Sequence, residues 1–348
     1  MKKIGQAIGL SIAVALLVAG CKKSDSPADT VPNYTVPTTY NFAGANFADA
    51  TTRLGMVTEM SNLMKNALTG VLDGQKLNDM FVNSNATFAT AGYNTSGLQI
   101  KNQCFLLLQT DVPKFIDSLV KVSQSSQPAS RGVAGVGASS ANAASKYALT
   151  GLGVNYAQVF NKSIMGGLIC YQIVTTMASG DISEHNWDLA FGYWGVPIDF
   201  PTNKTGAKLW GSYTTQVDAG YHANKILMDA FLKGRAAITN KDTKTRDEQA
   251  AIILQTFERL TGAAALQEVQ EIKESMSDNI TRNSRLSECY GFVNSLRYNP
   301  KRKITDAQID AILALFPKSF YDLTLTDVNN IRDAVAKQYN FEDVKDIL

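Results

Sequence analysis

The chain has 348 residues, 45% of them hydrophobic, with 33 basic and 31 acidic side chains and two histidines. Without Lys2 and Lys3 at the extreme N-terminus the balance is 31 against 31, which leaves no electrostatic footprint for nucleic acid or anionic lipid, so no nucleic-acid partner is expected. No HExxH, GxSxG or GxxxxGK string occurs, which argues against zincin proteases, serine hydrolases and P-loop enzymes.

From the N-terminus, Lys2 and Lys3 precede an apolar run from Ile8 to Val18, and Ala19 and Gly20 stand immediately before Cys21. A basic start, a short apolar stretch and a small-residue cleavage site before cysteine, here "VAGC", read as a lipoprotein signal peptide over residues 1–20, with Cys21 as the lipidated N-terminus. The apolar run falls short of the roughly twenty residues a bilayer-spanning helix needs. Residues 21–40, rich in Ser, Asp, Thr and Pro, read as a flexible linker. The partner this implies is a membrane, reached through the lipid anchor on Cys21.

Residues 41–348 read as a helical domain, because apolar residues recur at three- and four-residue spacing and two-residue alternation is weak. Helices are expected over 44–69, 75–83, 97–107, 110–124, 151–179, 183–195, 215–238, 244–277, 282–298, 305–316 and 324–339. In "TDVPKFIDSL", Asp111 is placed to cap a helix with Pro113 in its first turn, and Thr305 and Thr324 open two later helices. Pro300 and Pro317 mark stops. The small, polar stretch from Ser123 to Ser145 is expected to be a mobile surface loop. Cys104, Cys170 and Cys289 sit in apolar helical contexts and are expected to be free buried thiols.

The strings "DLAFGYWG" and "SECYGFVN" share an aromatic-Gly-aromatic core around Gly192 and Gly291. Upstream of each lies a long helix with a phenylalanine and then small residues, Phe160 before Gly166 and Gly167, and Phe257 before Gly262 and Ala263. Small side chains let helices approach closely, so both clusters predict tight crossings. The fold class expected is therefore all-α, with helical bundles in two weakly duplicated halves built on related helix pairs over about 151–195 and 250–298.

The stretch "SEHNWDLAFGYWGVP" carries the densest chemistry. On a helix starting near Ser183, Trp187, Ala190, Phe191 and Trp194 share one side, while Asp181, His185, Asp188 and Gly192 form a narrow polar stripe. A carboxylate on a helix apolar nearly all round must find a partner. His185, one turn back, is the nearest candidate, with Arg235 and Lys233 of "FLKGRAAI" as buried polar partners from another helix. Three readings stay open here: a structural His-Asp bond, a catalytic arrangement, and a metal site. The metal site would take ligands from His185, Asp188 and Glu184, joined by Glu288 or His222, since imidazole and carboxylates suit iron or zinc.

The order of lipobox, Pro/Thr linker, "FADATTRLGMVTEM", "HNWDLAFGYWGVP", "AFLKGRAAI" and "LSECYGFVNSLRYNP" resembles an uncharacterised family of bacterial outer-membrane lipoproteins known as a domain of unknown function. More distantly it is similar to the imelysin group of iron-regulated helical proteins, whose Gly-x-His-x-x-Glu motif is matched imperfectly by "GDISEHNWD", with Asp188 where that pattern has Glu. The resemblance implies a helical-bundle fold, an outer-membrane location and a link to iron or haem uptake beside an outer-membrane transporter. The expected function is a lipid-anchored extracytoplasmic binding or scaffold protein. The alternatives are a metallopeptidase using His185, Asp188 and Glu288, and a carbohydrate-capture lipoprotein.

Overall fold

The computed structural model describes residues 34–180 and 182–348. The expected signal peptide, the expected lipidation site at Cys21, most of the expected linker and Asp181 lie outside the described residues.

In chain order the helices are α1 (Ala48–Met64), α2 (Gly74–Val82), the single turn α3 (Ala91–Asn94) and α4 (Leu106–Ser123), followed by α5 (Tyr156–Ile164), α6 (Tyr171–Met177), α7 (Glu184–Trp194) and α8 (Trp210–Gln216). Then come the turn α9 (Asp218–Tyr221), α10 (Ala223–Thr239), the long α11 (Thr243–Glu274), α12 (Asn279–Ser295), α13 (Asp306–Leu313) and α14 (Leu325–Tyr339). Strands β1 (Gly135–Ala138) and β2 (Lys146–Leu149) form the one small sheet among the described residues. The fold is all-α in two halves. None of the described helices is long and apolar enough to cross a membrane.

Two rods organise the packing. In the first half α5 and α6 are joined by a π-helical segment, Met165–Cys170, whose residues are all buried. The rod packs on α4, α7 and α12, while in the second half α11 packs on α10, α12 and α14. A π segment releases carbonyls from the regular ladder, and two of them find partners at once. Met165 O accepts the Trp210 indole N–H at 2.7 Å, and Gly167 O accepts the Phe105 N–H at 2.7 Å. That second bond explains why the helix expected over 97–107 is interrupted. The Phe105 amide serves the rod, and only a short 3-10 turn, Lys101–Gln103, precedes α4.

Of the two expected small-residue crossings, the one at Gly166 is a close approach to α12, whereas Gly262 lies under the Tyr339 ring of α14. A Cβ on Gly166 would stand 2.5 Å from Ser295 Cβ, and one on Gly291 would stand 2.8 Å from Lys162 Cβ, so the rod and α12 meet at backbone distance. The caps of α7, α13 and α14 are as read: the Ser183 side chain accepts from the Asn186 N–H, and Thr305 and Thr324 form capping boxes. The three cysteines are free and buried.

Three expectations change. Helix α4 starts at Leu106 and runs through Asp111 and Pro113, so Asp111 is no cap. The helix expected over 215–238 is broken at His222, whose φ of 56° is left-handed, with Asp218 Oδ1 accepting the Asn224 N–H at 2.9 Å beyond the break. The expected mobile loop contains strand β1, which pairs antiparallel with β2 just beyond it, from Gly135↔Leu149 to Ala138↔Lys146. It is docked on the start of α12, where Asp278 caps the helix and accepts the Ser139 hydroxyl at 2.5 Å and the Ser140 N–H at 3.1 Å. Four-residue strands of Gly, Ala and Val carry too little alternation to be seen in sequence.

Because the Gly166–Ser295 approach leaves no room for a methyl group, Gly166→Ala is expected to destabilise the protein by about 1–3 kcal/mol through overpacking. Urea denaturation of the mature chain measures this, and an unchanged midpoint would contradict the close crossing.

Candidate functional site

The Ser183–Trp194 stretch folds as a buried helix because one side is aromatic. Trp187 and Trp194 are fully buried against Phe231 of α10, with the Trp187 indole N–H donating to Phe231 O at 3.0 Å. Within this packing Asp188 is only 1% exposed, and every donor to it comes from outside its own helix. Arg235 Nε of α10 lies 2.8 Å from Oδ1, the Tyr40 hydroxyl donates to the same oxygen at 2.7 Å, and the Asn46 amide donates to Oδ2 at 3.2 Å. The Tyr40 ring stacks on Phe191 with centroids 3.7 Å apart. Burial and the Asp188 charge push the Tyr40 phenol well above its ordinary pKa, so it stays a donor. The Arg235 guanidinium, itself 2% exposed, reaches Glu184 at 2.8 Å and Thr239 Oγ1 at 2.6 Å and lies over the Phe42 ring.

The partner of Asp188 is thus Arg235, aided by Tyr40. His185 is exposed in the first turn of α7 and does not pair with Asp188, and Lys233 is exposed on α10 rather than buried. A fixed, permanently charged fork satisfies a buried carboxylate better than a neutral imidazole or a flexible ammonium.

Glu288 belongs to a different network. Its Oε2 is 2.7 Å from Lys162 Nζ of α5, and its Oε1 is 3.2 Å from Arg285. The Tyr213 hydroxyl stands 2.6 Å from Glu268 Oε1 and 3.3 Å from Glu288 Oε2, and Lys162 lies 4.9 Å over the Tyr213 ring. Arg285 also pairs with Glu271 at 2.8 Å. Glu268 is 1% exposed, and burial followed by the Glu288 charge raises its pKa well above the carboxylate range. Burial acts on Glu288 in the same sense, but Lys162 and Arg285 outweigh it and hold this carboxyl below its ordinary value. The two shifts run in opposite directions, favouring the protonated form of Glu268 and the ionised form of Glu288.

The expected ligand set does not converge. Glu184 and His185 face solvent, Asp188 is saturated by donors, Glu288 is paired to Lys162, and His222 is an exposed helix start. Among the described residues no group of three or more His, Cys, Asp or Glu side chains is arranged to hold a metal. The sequence reading missed Tyr40, Lys162, Tyr213 and Glu268. A signal for Lys162 was present, since it is the one charged residue on the rod over 156–177 and stands between Phe160 and Ile164.

A separate cleft of about 440 Å³ opens between α4, α5, α12 and the segment after α13. Phe115 and Tyr156 line one wall with centroids 5.9 Å apart, and Tyr290 and Phe316 the other at 5.5 Å. Asp111, Asn294 and Lys318 provide its polar edge. Burial, then the neighbouring Tyr156 phenol, raises the pKa of Tyr290 despite the opposing charge of Arg297.

Residues 37–182 and 177–342 match the family described as a domain of unknown function, DUF4856, and the chain belongs to it. No curated protein and no solved structure matches it. Both buried networks join the two matched segments: Tyr40 and Asn46 lie in the first with Asp188 and Arg235 in the second, and Lys162 lies in the first with Glu288 in the second.

Glu288→Gln should destabilise the protein by about 3–5 kcal/mol, because it leaves Lys162 buried without a counter-charge. Glu268→Gln should be close to neutral at acid pH, since it imitates the protonated acid. Glu268 has a raised folded pKa, so its contribution is complete below the ordinary Glu value and is lost as pH rises through the raised one. Denaturation at mildly acid and mildly alkaline pH should therefore show Glu268→Gln gaining on wild type at the higher pH. Parallel pH profiles would contradict a protonated Glu268.

Proposed function

We propose that this protein is a lipid-anchored extracytoplasmic binding protein of the outer membrane, serving iron or haem acquisition beside a transporter, and that its ligand occupies the aromatic cleft. The cleft is the observation that carries the reading. Its size, and aromatic walls facing a polar edge, suit a small-molecule ligand. The iron or haem assignment draws on the distant imelysin resemblance and on the cleft's oxygen donors. Tyr156, Tyr290 and Asp111 supply phenol and carboxylate groups, of the kind that suits hard cations, and tyrosine is a known axial ligand of haem iron. The lipid anchor draws on "VAGC". A metallopeptidase reading has no support in the arrangement of His185, Asp188 and Glu288.

Absorbance titration of haem and of a ferric salt into the mature chain should give saturable binding by at least one. Tyr290→Ala should weaken it by about 10- to 100-fold, the effect of removing one aromatic anchor. Binding of neither, with saturable binding of a sugar, would favour the carbohydrate-capture reading. In cells, Cys21→Ala is expected to move the protein from the membrane fraction to the soluble one, and an unchanged distribution would overturn the anchor.

A further inference from the structure

Between α11, the C-terminal end of α14 and the segment after α12, a pocket of about 200 Å³ is lined by Gln255, Glu258, Arg259, Lys303, Tyr339 and Asn340, among others. Its centre is Arg259. The guanidinium packs beside an edge-to-face pair of rings, 4.9 Å from the centroid of Tyr221 and 4.7 Å from that of Phe341, which stand 5.3 Å from each other. Contact with these rings helps to hold the guanidinium in place and leaves N–H edges available. Those edges are unused: Arg259 makes no hydrogen bond and no ion pair with any described residue, whereas Arg235, the other ring-stacked arginine, is committed to Asp188, Glu184 and Thr239.

A second cation stands beside it. Lys303 is exposed, and its ammonium has no acidic partner among the described residues. The one carboxylate in the pocket is Glu258, and it is engaged already, with Oε1 accepting the Lys303 N–H at 2.8 Å and the Ile304 N–H at 3.2 Å. Tyr339, 6% exposed, has a hydroxyl with no hydrogen-bond partner, and burial followed by the Glu258 charge keeps that phenol protonated. Two cations against one committed carboxylate leave the pocket net positive, with a planar donor fork available in it.

We propose that this pocket is a binding site for a small oxyanion, a phosphate or carboxylate group taken bidentately by Arg259 and neutralised by Lys303. A fork of parallel N–H donors matches the paired oxygens of either group, and the volume admits a small molecule and no more. The assignment is independent of the aromatic cleft, since the two pockets share no lining residue.

Calorimetric titration of inorganic phosphate and of citrate into the mature chain at low ionic strength tests it. Saturable one-to-one binding of either anion is expected, and which one binds identifies the group. Lys303→Gln, at an exposed position that folding does not need, should weaken binding about tenfold. Arg259→Lys, which keeps the charge and loses the fork, should weaken it at least as much with the thermal midpoint little changed. The proposal is overturned if neither anion binds saturably, or if binding is the same in both variants as in wild type.

Discussion

The buried carboxylate of Asp188 is the constraint on which the arrangement of the chain turns. An ionised group removed from water is tolerated only when donors surround it, and leaving it unpaired costs several kcal/mol. Here the donors come from three places: Tyr40 and Asn46 before α1, and Arg235 on α10. Bringing α7 into the core therefore requires the N-terminal segment and α10 to arrive together. The Tyr40 ring on Phe191 and the Phe42 ring under Arg235 add apolar contact along the same seam.

The Lys162–Glu288 pair repeats the principle at the crossing of the α5–α6 rod with α12. There the stem of Lys162 passes against Gly291, where a methyl group would collide with it, so backbone approach and ion pair specify one geometry. Buried ion pairs contribute little net stability compared with well-packed apolar side chains, but they are sharply destabilising when broken, so their effect is to fix register between elements. In this chain they fix how the segment over 37–182 sits on that over 177–342. The histidine, aspartate and glutamates that looked like a site in the sequence are the fasteners of the fold or lie at its surface. The remaining candidates for binding are the aromatic cleft and the pocket around Arg259.

Much of this was legible from residue patterns. The face of α7 carrying Trp187, Phe191 and Trp194, the need of Asp188 for a partner, Arg235 as a candidate, and the close crossing at Gly166 all follow from helical periodicity and side-chain size. What periodicity does not reveal is a choice between partners far apart in sequence. His185 is one turn from Asp188 and Arg235 is 47 residues away, so local spacing favours the wrong residue. Tyr40 sits at the end of a stretch whose composition reads as linker, although "TYNFAGANF" beside it carries the aromatic residues that dock it. The hairpin over Gly135–Leu149 is held by Asp278, a contact across more than a hundred residues, and the break at His222 is a backbone conformation that its side chain does not announce.

A double-mutant cycle on Asp188 and Arg235 tests the central claim most directly. Asp188→Leu, Arg235→Met and the double variant would be compared with wild type by urea denaturation of the mature chain. A fastening ion pair predicts that each single change, by stranding a buried charge, is more damaging than the double change, with a coupling of about 2–3 kcal/mol. Effects that simply add, to within about 0.5 kcal/mol, would mean that the two side chains act separately and that Asp188 does not govern how α7, α10 and the N-terminal segment assemble.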